Sequence, residues 1–360
     1  MSDKPLITAN QVTMLRIVLL PIPIVLLYGG SASILVGMVL LVLLGITDYI
    51  DGMLARKYGS TAFGRFLDPL ADKLMVAAMF LPLVHRGFIP GWIVALMLAR
   101  EFLVTDLRTV YSHIEHDMPT SEAAKIKTNM QMMGGSLILF LVALADTVVP
   151  LVALAIVCGG LWLAGGVVKV LGRKIHRFLW TAMSLWLLAL VVVLIFGNMG
   201  SVNVIALIIV VFTVYTGWQY LSGGWHRLRA FMASNLLAAA ALILSGIVLP
   251  LSLVLTFTVE PPLVALLYFV VLFELTVGGI ENFLSIMHSG LRWPERFLKL
   301  ALVCASLLML LIYGAEGLTP LARYTLVLVA FAISFYYFIW YAWSYRDRLM
   351  AGSGTTQAGK

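Results

Sequence analysis

Charge is scarce in this chain. Of 360 residues only 11% are Asp, Glu, Lys or Arg, against roughly 25% in an ordinary soluble domain, so an exterior wetted on all sides is excluded. Cysteine is scarcer still. Cys158 and Cys304 each stand alone in an apolar stretch, which gives neither a disulfide framework nor metal-ligand spacing and leaves packing as their role. No basic stripe interleaved with aromatics is present, so no nucleic-acid partner is expected. A cleavable signal peptide is not expected either, because polar Asn10 and Thr13 precede the first apolar run and no small-residue cleavage site follows. No internal repeat stands out, and the run Gly352-Ser353-Gly354-Thr355-Thr356 reads as a flexible polar tail.

What fills the chain instead is apolar. Hydrophobic residues make up 62% and the mean hydropathy is +1.02. Stretches of about 20 apolar residues, the length a helix needs to cross a bilayer, recur from end to end. The expected architecture is an all-α polytopic bundle of about twelve spans, at 11–28, 32–56, 66–85, 91–111, 125–145, 149–171, 178–197, 203–222, 231–256, 262–287, 297–314 and 319–344. Basic residues fall in alternate connections, among them Arg56, Lys57, Arg65, Lys169, Arg173, Arg227, Arg292 and Arg346. By the positive-inside rule that side, with both termini, is cytoplasmic, which also accounts for the formal charge of +7.

Against this background one segment is anomalous. Residues 48–72 read Asp48-x-x-Asp51-Gly52-x-x-Ala55-Arg56, then seven residues, then Gly64-x-x-x-Asp68-x-x-x-Asp72. A carboxylate inside a membrane helix costs about 2.5–3.5 kcal/mol at mid-depth and marks a functional site by default. At about 100° per residue, Asp48, Asp51 and Ala55 share one face of the second span, and Gly64, Asp68 and Asp72 follow one face of the third. A short turn makes these spans antiparallel neighbours, so the carboxylates can converge. Local cations are too few to neutralise them. Divalent metal ions would remove the repulsion, and oxygen-only ligands favour magnesium or manganese. Gly52 leaves room for a ligand near backbone, Ala55 keeps the face shallow, and the Arg56 fork suits phosphate. Ordinary salt bridges between polar helices and a carboxylate-lined ion or proton route are the competing readings.

The same segment resembles the signature of the CDP-alcohol phosphotransferases and matches it at every fixed position. The resemblance implies that Asp48, Asp51, Asp68 and Asp72 hold two Mg²⁺ (or Mn²⁺) ions at the diphosphate of a CDP-linked lipid. It further implies that Asp72 is the base for the acceptor hydroxyl. Gly52, Ala55, Arg56, Thr61 and Gly64 would line the CDP site, joined by Asn10 and Thr13 from the segment Asn10-x-x-Thr13-x-x-Arg16-x-x-x-x-Pro21.

Three runs resemble phosphatidylglycerophosphate synthases within that family: Phe66 to Lys73, Ala99 to Arg108, and Lys125 to Gln131. Glu101, Thr105 and Arg108 share a helix face, and Arg100, Arg108, Lys125 and Lys127 suit an anionic acceptor, here sn-glycerol 3-phosphate. The alternative for these cations is anchoring at lipid headgroups. The expected reaction joins CDP-diacylglycerol and sn-glycerol 3-phosphate to give phosphatidylglycerophosphate and CMP. The expected location is the bacterial inner (plasma) membrane, with the active site cytoplasmic, and a homodimer is compatible with the resemblance. A CMP-forming cardiolipin synthase is the nearest alternative, and a carboxylate-lined transporter the alternative from another class.

The resemblance covers the first five spans, and Val214 to Leu221 resembles the end of the family's sixth. The expected division is therefore a catalytic membrane domain at 1–222, with an inserted hairpin at 149–197, and a four-span extension at 223–360. Glu274 and Glu281 share one face of the tenth span, where hydrogen bonding and interface placement are the simpler reading.

Overall fold

The computed structural model describes residues 8–59, 62–113, 122–171, 177–226 and 228–229, with 319, 321–322, 325, 328–329, 332–333, 335–336, 339–340 and 343–344. Among them every regular element is an α-helix. Helix α1 (Ala9–Leu19) opens on a capping box. The Thr8 Oγ1 accepts from the Gln11 N–H at 3.4 Å, and the Gln11 Oε1 accepts from the Thr8 N–H at 2.9 Å. Pro21 has no N–H for the preceding turn, so the segment restarts there as α2 (Pro21–Leu26). Helix α3 (Ser31–Tyr58) runs 28 residues and ends at Gly59, whose φ of 95° favours glycine. Then come α4 (Ala62–His85), α5 (Gly91–His113), α6 (Glu122–Ala143), α7 (Val149–Val170) and α8 (Arg177–Gly223).

Helix α4 is the centre. It packs against α1, α2, α3, α5 and α6, and nearly every residue from Leu74 to Val84 is buried. Close approach of α6 depends on Gly135, where a Cβ would come within 3.1 Å of the Phe80 ring. Helix α8 closes the bundle against α5, α6 and α7. A straight helix of its 47 residues would run about 70 Å, more than twice the hydrocarbon thickness. Gly197 breaks it, at φ 69° and ψ −179°. The two limbs fold back on each other, because the Ser201 Oγ donates to the Val192 carbonyl, nine residues earlier, at 3.1 Å. Asn198 pins the turn by donating to the carbonyls of Ala145 at 2.8 Å and Thr147 at 2.7 Å.

Among the described residues, five stretches are long and apolar enough to cross a membrane: Ala9–Leu26, Ser31–Tyr58, Ile126–Ala143, Val149–Val170 and Ala182–Gly223. Helices α4 and α5 carry the interior charge and sit among the others. The expected spans from 32–56 to 149–171 correspond to α3 to α7. Those at 178–197 and 203–222 are the limbs of α8, joined by one residue rather than five. The spans expected between 231 and 314 lie outside the described residues, as do Glu274 and Glu281. In the last, 319–344, the residues described from 321 onward are helical.

Candidate active site

Three helices bring the aspartates together. Asp48 and Asp51 come from α3, Asp68 and Asp72 from α4, and α1 inserts Thr13 and Arg16 between them. Thr13 and Arg16 lie one turn apart on α1, both essentially inaccessible. The Arg16 Nη1 donates to Asp48 Oδ1 at 3.0 Å and lies 3.5 Å from Asp72 Oδ1, while Nη2 donates to Asp51. The Thr13 Oγ1 stands 2.9 Å from Asp51 Oδ2, 3.1 Å from Asp68 Oδ1 and 3.2 Å from the Ala9 carbonyl. One hydroxyl proton thus serves three oxygens, and one guanidinium serves three of the four carboxylates. The cluster is short of positive charge.

The carboxylates differ in access. Asp51 is 3% exposed, whereas the side chains of Asp48 and Asp72 are 49% and 41% exposed and, with Arg16, line one end of a cavity of about 770 Å³. Among the described residues no three His, Cys, Asp or Glu side chains stand close enough together to hold a metal ion as they are. The donor chemistry nonetheless fits hard divalent cations: the acidic ligands are all oxygen, their charge exceeds that of Arg16, and two open on one cavity. Arg16 stands among the carboxylates as their counter-charge, and its buried Nε has no hydrogen-bond partner among the described residues.

The other predicted CDP-site residues fall around this cluster. Gly52, Ala55 and Arg56 continue α3 beyond Asp51, with the Arg56 guanidinium beside Gly52. Gly64 is buried on α4 one turn before Asp68, and Asn10 precedes Thr13 by one turn on α1. Thr61 lies outside the described residues.

A second polar cluster is buried between α4, α5, α6 and α8. Glu101 accepts from Arg100 Nη1 at 3.3 Å and forms an ion pair with Lys127. All three are under 10% exposed. Lys73 donates to the Thr105 hydroxyl, and the Arg100 guanidinium sits over the Tyr220 ring, 5.5 Å from its centroid. The Nε and Nη2 of Arg100 are buried with no hydrogen-bond partner among the described residues. Three cations around one carboxylate, with two orphaned guanidinium donors, are chemically suited to cradle an anion. Of the predicted acceptor residues, Arg100 and Lys127 are thus brought together. The side chains of Arg108 and Lys125 lie outside those described.

The clusters are neighbours. Asp72 faces the cavity while Lys73 points to the cationic cluster, and Thr128 lines the cavity while Lys127 pairs with Glu101. Asp72 lies near enough to Lys127 for their charges to interact. Sequence reasoning missed the part of Arg16 as counter-ion and the contributions of Lys73, Glu101 and Tyr220 to the anion cradle. The signal for Arg16 was its position one turn after Thr13, on the same face.

The model of the family described as CDP-alcohol phosphatidyltransferase matches residues 6–162. A Bacillus subtilis protein named CDP-diacylglycerol–glycerol-3-phosphate 3-phosphatidyltransferase is 30% identical over 234 residues, covering 61% of this chain and 96% of that one. A Rickettsia typhi protein of the same name is 39% identical over 132 residues, covering 36% and 74%. A probable phosphatidylglycerophosphate synthase of Mycobacterium tuberculosis is 40% identical over 128 residues, covering 34% and 61%. No solved structure matches the chain. The aspartate cluster, the membrane-length helices and these matches agree, and the chain belongs to the CDP-alcohol phosphatidyltransferase family.

Proposed function

We propose that this protein transfers the phosphatidyl group of CDP-diacylglycerol to sn-glycerol 3-phosphate, giving phosphatidylglycerophosphate and CMP. The observation that carries this reading is the cationic cradle of buried Arg100 and Lys127 and half-buried Lys73 beside the cavity-facing Asp72. The phosphomonoester of sn-glycerol 3-phosphate, with close to two negative charges and three terminal oxygens, would satisfy the two orphaned guanidinium donors more fully than the singly charged phosphodiester of a lipid acceptor such as phosphatidylglycerol. The names of the relatives point to the same substrates.

In the reaction, the acceptor hydroxyl oxygen forms a bond to the lipid-bearing phosphorus and the bond from that phosphorus to the CMP oxygen breaks. Asp72 accepts the hydroxyl proton, and CMP leaves with the bonding electron pair. Two divalent cations, Mg²⁺ or Mn²⁺, would be held by Asp48, Asp51, Asp68 and Asp72 and would supply positive charge at the diphosphate. Thr13 orients Asp51 and Asp68, and Arg16 draws Asp48, Asp51 and Asp72 together. Gly52, Ala55, Arg56, Thr61, Gly64 and Asn10 form the nucleotide end. Arg108 and Lys125 join the acceptor end.

The whole is an integral membrane protein of about twelve spans, placed in the bacterial inner membrane with the site and both termini cytoplasmic. Residues 1–222 form the catalytic unit, with 149–197 as an added hairpin, and 223–360 form an auxiliary extension. The deciding experiment supplies purified protein with cytidine-labelled CDP-diacylglycerol and each candidate acceptor in turn. CMP release is expected with sn-glycerol 3-phosphate. Release with phosphatidylglycerol alone would reassign the acceptor.

A further inference from the structure

The cavity that ends at Arg16, Asp48 and Asp72 is far larger than the polar cluster needs. Along α3 its wall runs from Asp48 back to Met38, ten residues and about 15 Å of helix. Apart from Thr128, Asn129 and Ser136 on α6, that length is lined by apolar side chains. Its flank is open. Val42 and Ile46 on α3 and Val157 on α7 are each at least 40% exposed while lining it, and α3 packs on α1, α2, α4 and α6 rather than on α7. A slot facing the lipid therefore leads sideways to the carboxylates. Beside it lies a second, wholly apolar cavity of about 60 Å³ between α6 and the two limbs of α8. Met133, Leu137 and Trp186 line both, so these three side chains are the partition between them. Trp186 lies beyond the residues that the family model matches.

With an acyl chain of the CDP-linked lipid in the apolar length of this cavity, as a lipid substrate of this family requires, we propose that Trp186 limits how much chain the cavity admits. This rests on the reaction proposed above and adds a determinant of substrate choice. With the diphosphate at Asp48 and Asp72, the glycerol backbone comes to the cavity mouth and a tail is directed between α3, α6 and α7. The indole of Trp186 closes the route into the smaller cavity. Removing the indole joins the two spaces and lets a longer tail be accommodated; because the tail comes from lipid rather than from water, the gain is in packing and fit, not in the hydrophobic effect.

The test compares dilauroyl, dipalmitoyl and diarachidoyl CDP-diacylglycerol with the full-length purified protein, its Trp186→Ala variant and its Ala153→Phe variant. Ala153 lines the larger cavity from α7, so a phenyl group there takes up tail space. Trp186→Ala is expected to raise the diarachidoyl-to-dipalmitoyl ratio of kcat/KM above that of the unaltered protein. Ala153→Phe should lower it, and neither should move the KM for glycerol phosphate. Unchanged ratios in both variants overturn the proposal while leaving the reaction intact. A second measurement does not depend on turnover: CDP-diacylglycerol with a diazirine at the end of one tail, photolysed on the unaltered protein. Label on peptides containing Met133, Leu137 or Trp186 supports the assignment. Label confined to other peptides overturns it, whatever the acceptor proves to be.

Discussion

Arg16→Met keeps the length and apolar stem of the side chain but removes the only guanidinium that, among the described residues, pairs with these aspartates. Arg16 is 1% exposed, and its closest partner, Asp51, is 3% exposed. Taking one member from so buried a pair leaves an uncompensated carboxylate and costs about 3–5 kcal/mol. The contacts to Asp48 and Asp72, both half open to solvent, add little, about 0–1 kcal/mol each. The assay is unfolding in mixed micelles titrated with dodecyl sulfate, followed by fluorescence of the 9 tryptophans. In EDTA the variant should lose about 3–5 kcal/mol. Millimolar Mg²⁺ should narrow that gap, because a divalent cation supplies the charge that the guanidinium supplied. Arg16→Lys should fall between the two, since one ammonium is a compact charge and cannot bridge three carboxylates as a planar fork does. If Arg16→Met unfolds in EDTA as the unaltered protein does, the guanidinium does not hold the aspartates together, and the account of the cluster fails.

Asp72→Asn should abolish CMP release while leaving the same unfolding transition in place, because an amide cannot accept the hydroxyl proton; normal release would remove Asp72 from that role. Arg100→Ala and Lys127→Ala should each raise the KM for glycerol phosphate by roughly ten- to a hundredfold, the loss of a charge-assisted contact of about 1.5–3 kcal/mol. CDP-lipid KM should change much less, and an equal effect on both substrates would mean damaged architecture instead. Glu274→Gln and Glu281→Gln in the full chain should keep CMP release within a few-fold of normal. Complete loss with folding preserved would place the extension inside the active site.

The aspartates were legible because a carboxylate in an apolar helix is costly and the spacing of three and four residues puts a set on one face. The helices themselves were legible from apolar length, and α3 to α7 fall where that length predicts. Arg16 was visible within the segment that the resemblance puts near the nucleotide, but no counter-ion role follows from its position in the sequence alone. Only the packing of α1 against α3 and α4 turns it into a counter-ion. The break after residue 197 was legible in the hydropathy, as the boundary between the spans at 178–197 and 203–222, but the tightness of the turn at Gly197 was not. Its evidence is the backbone conformation and the bonds of Asn198 to carbonyls more than fifty residues earlier. Tyr220 could not be paired with Arg100 from sequence, because 120 positions separate them and the contact exists only through the packing of α5 on α8.

Both proposed substrates are anions, and the protein meets them with surfaces of opposite sign. The carboxylates suit a diphosphate only when cations intervene, and they repel a free phosphate. On the proposed reading the Arg100, Lys127 and Lys73 cradle would attract that phosphate but would be quenched if its cations paired with the aspartates. Helical geometry keeps the two apart at minimal separation. Consecutive residues point about 100° apart, so Asp72 and Lys73 leave α4 in different directions, as Thr128 and Lys127 leave α6. Glu101 takes up part of the positive charge by accepting from both Arg100 and Lys127, which stops those groups from collapsing onto Asp72. An acceptor held by its phosphate in the cradle would then reach across α4 and α6 with its hydroxyl, and Asp72 is the carboxylate standing on that side of the cavity.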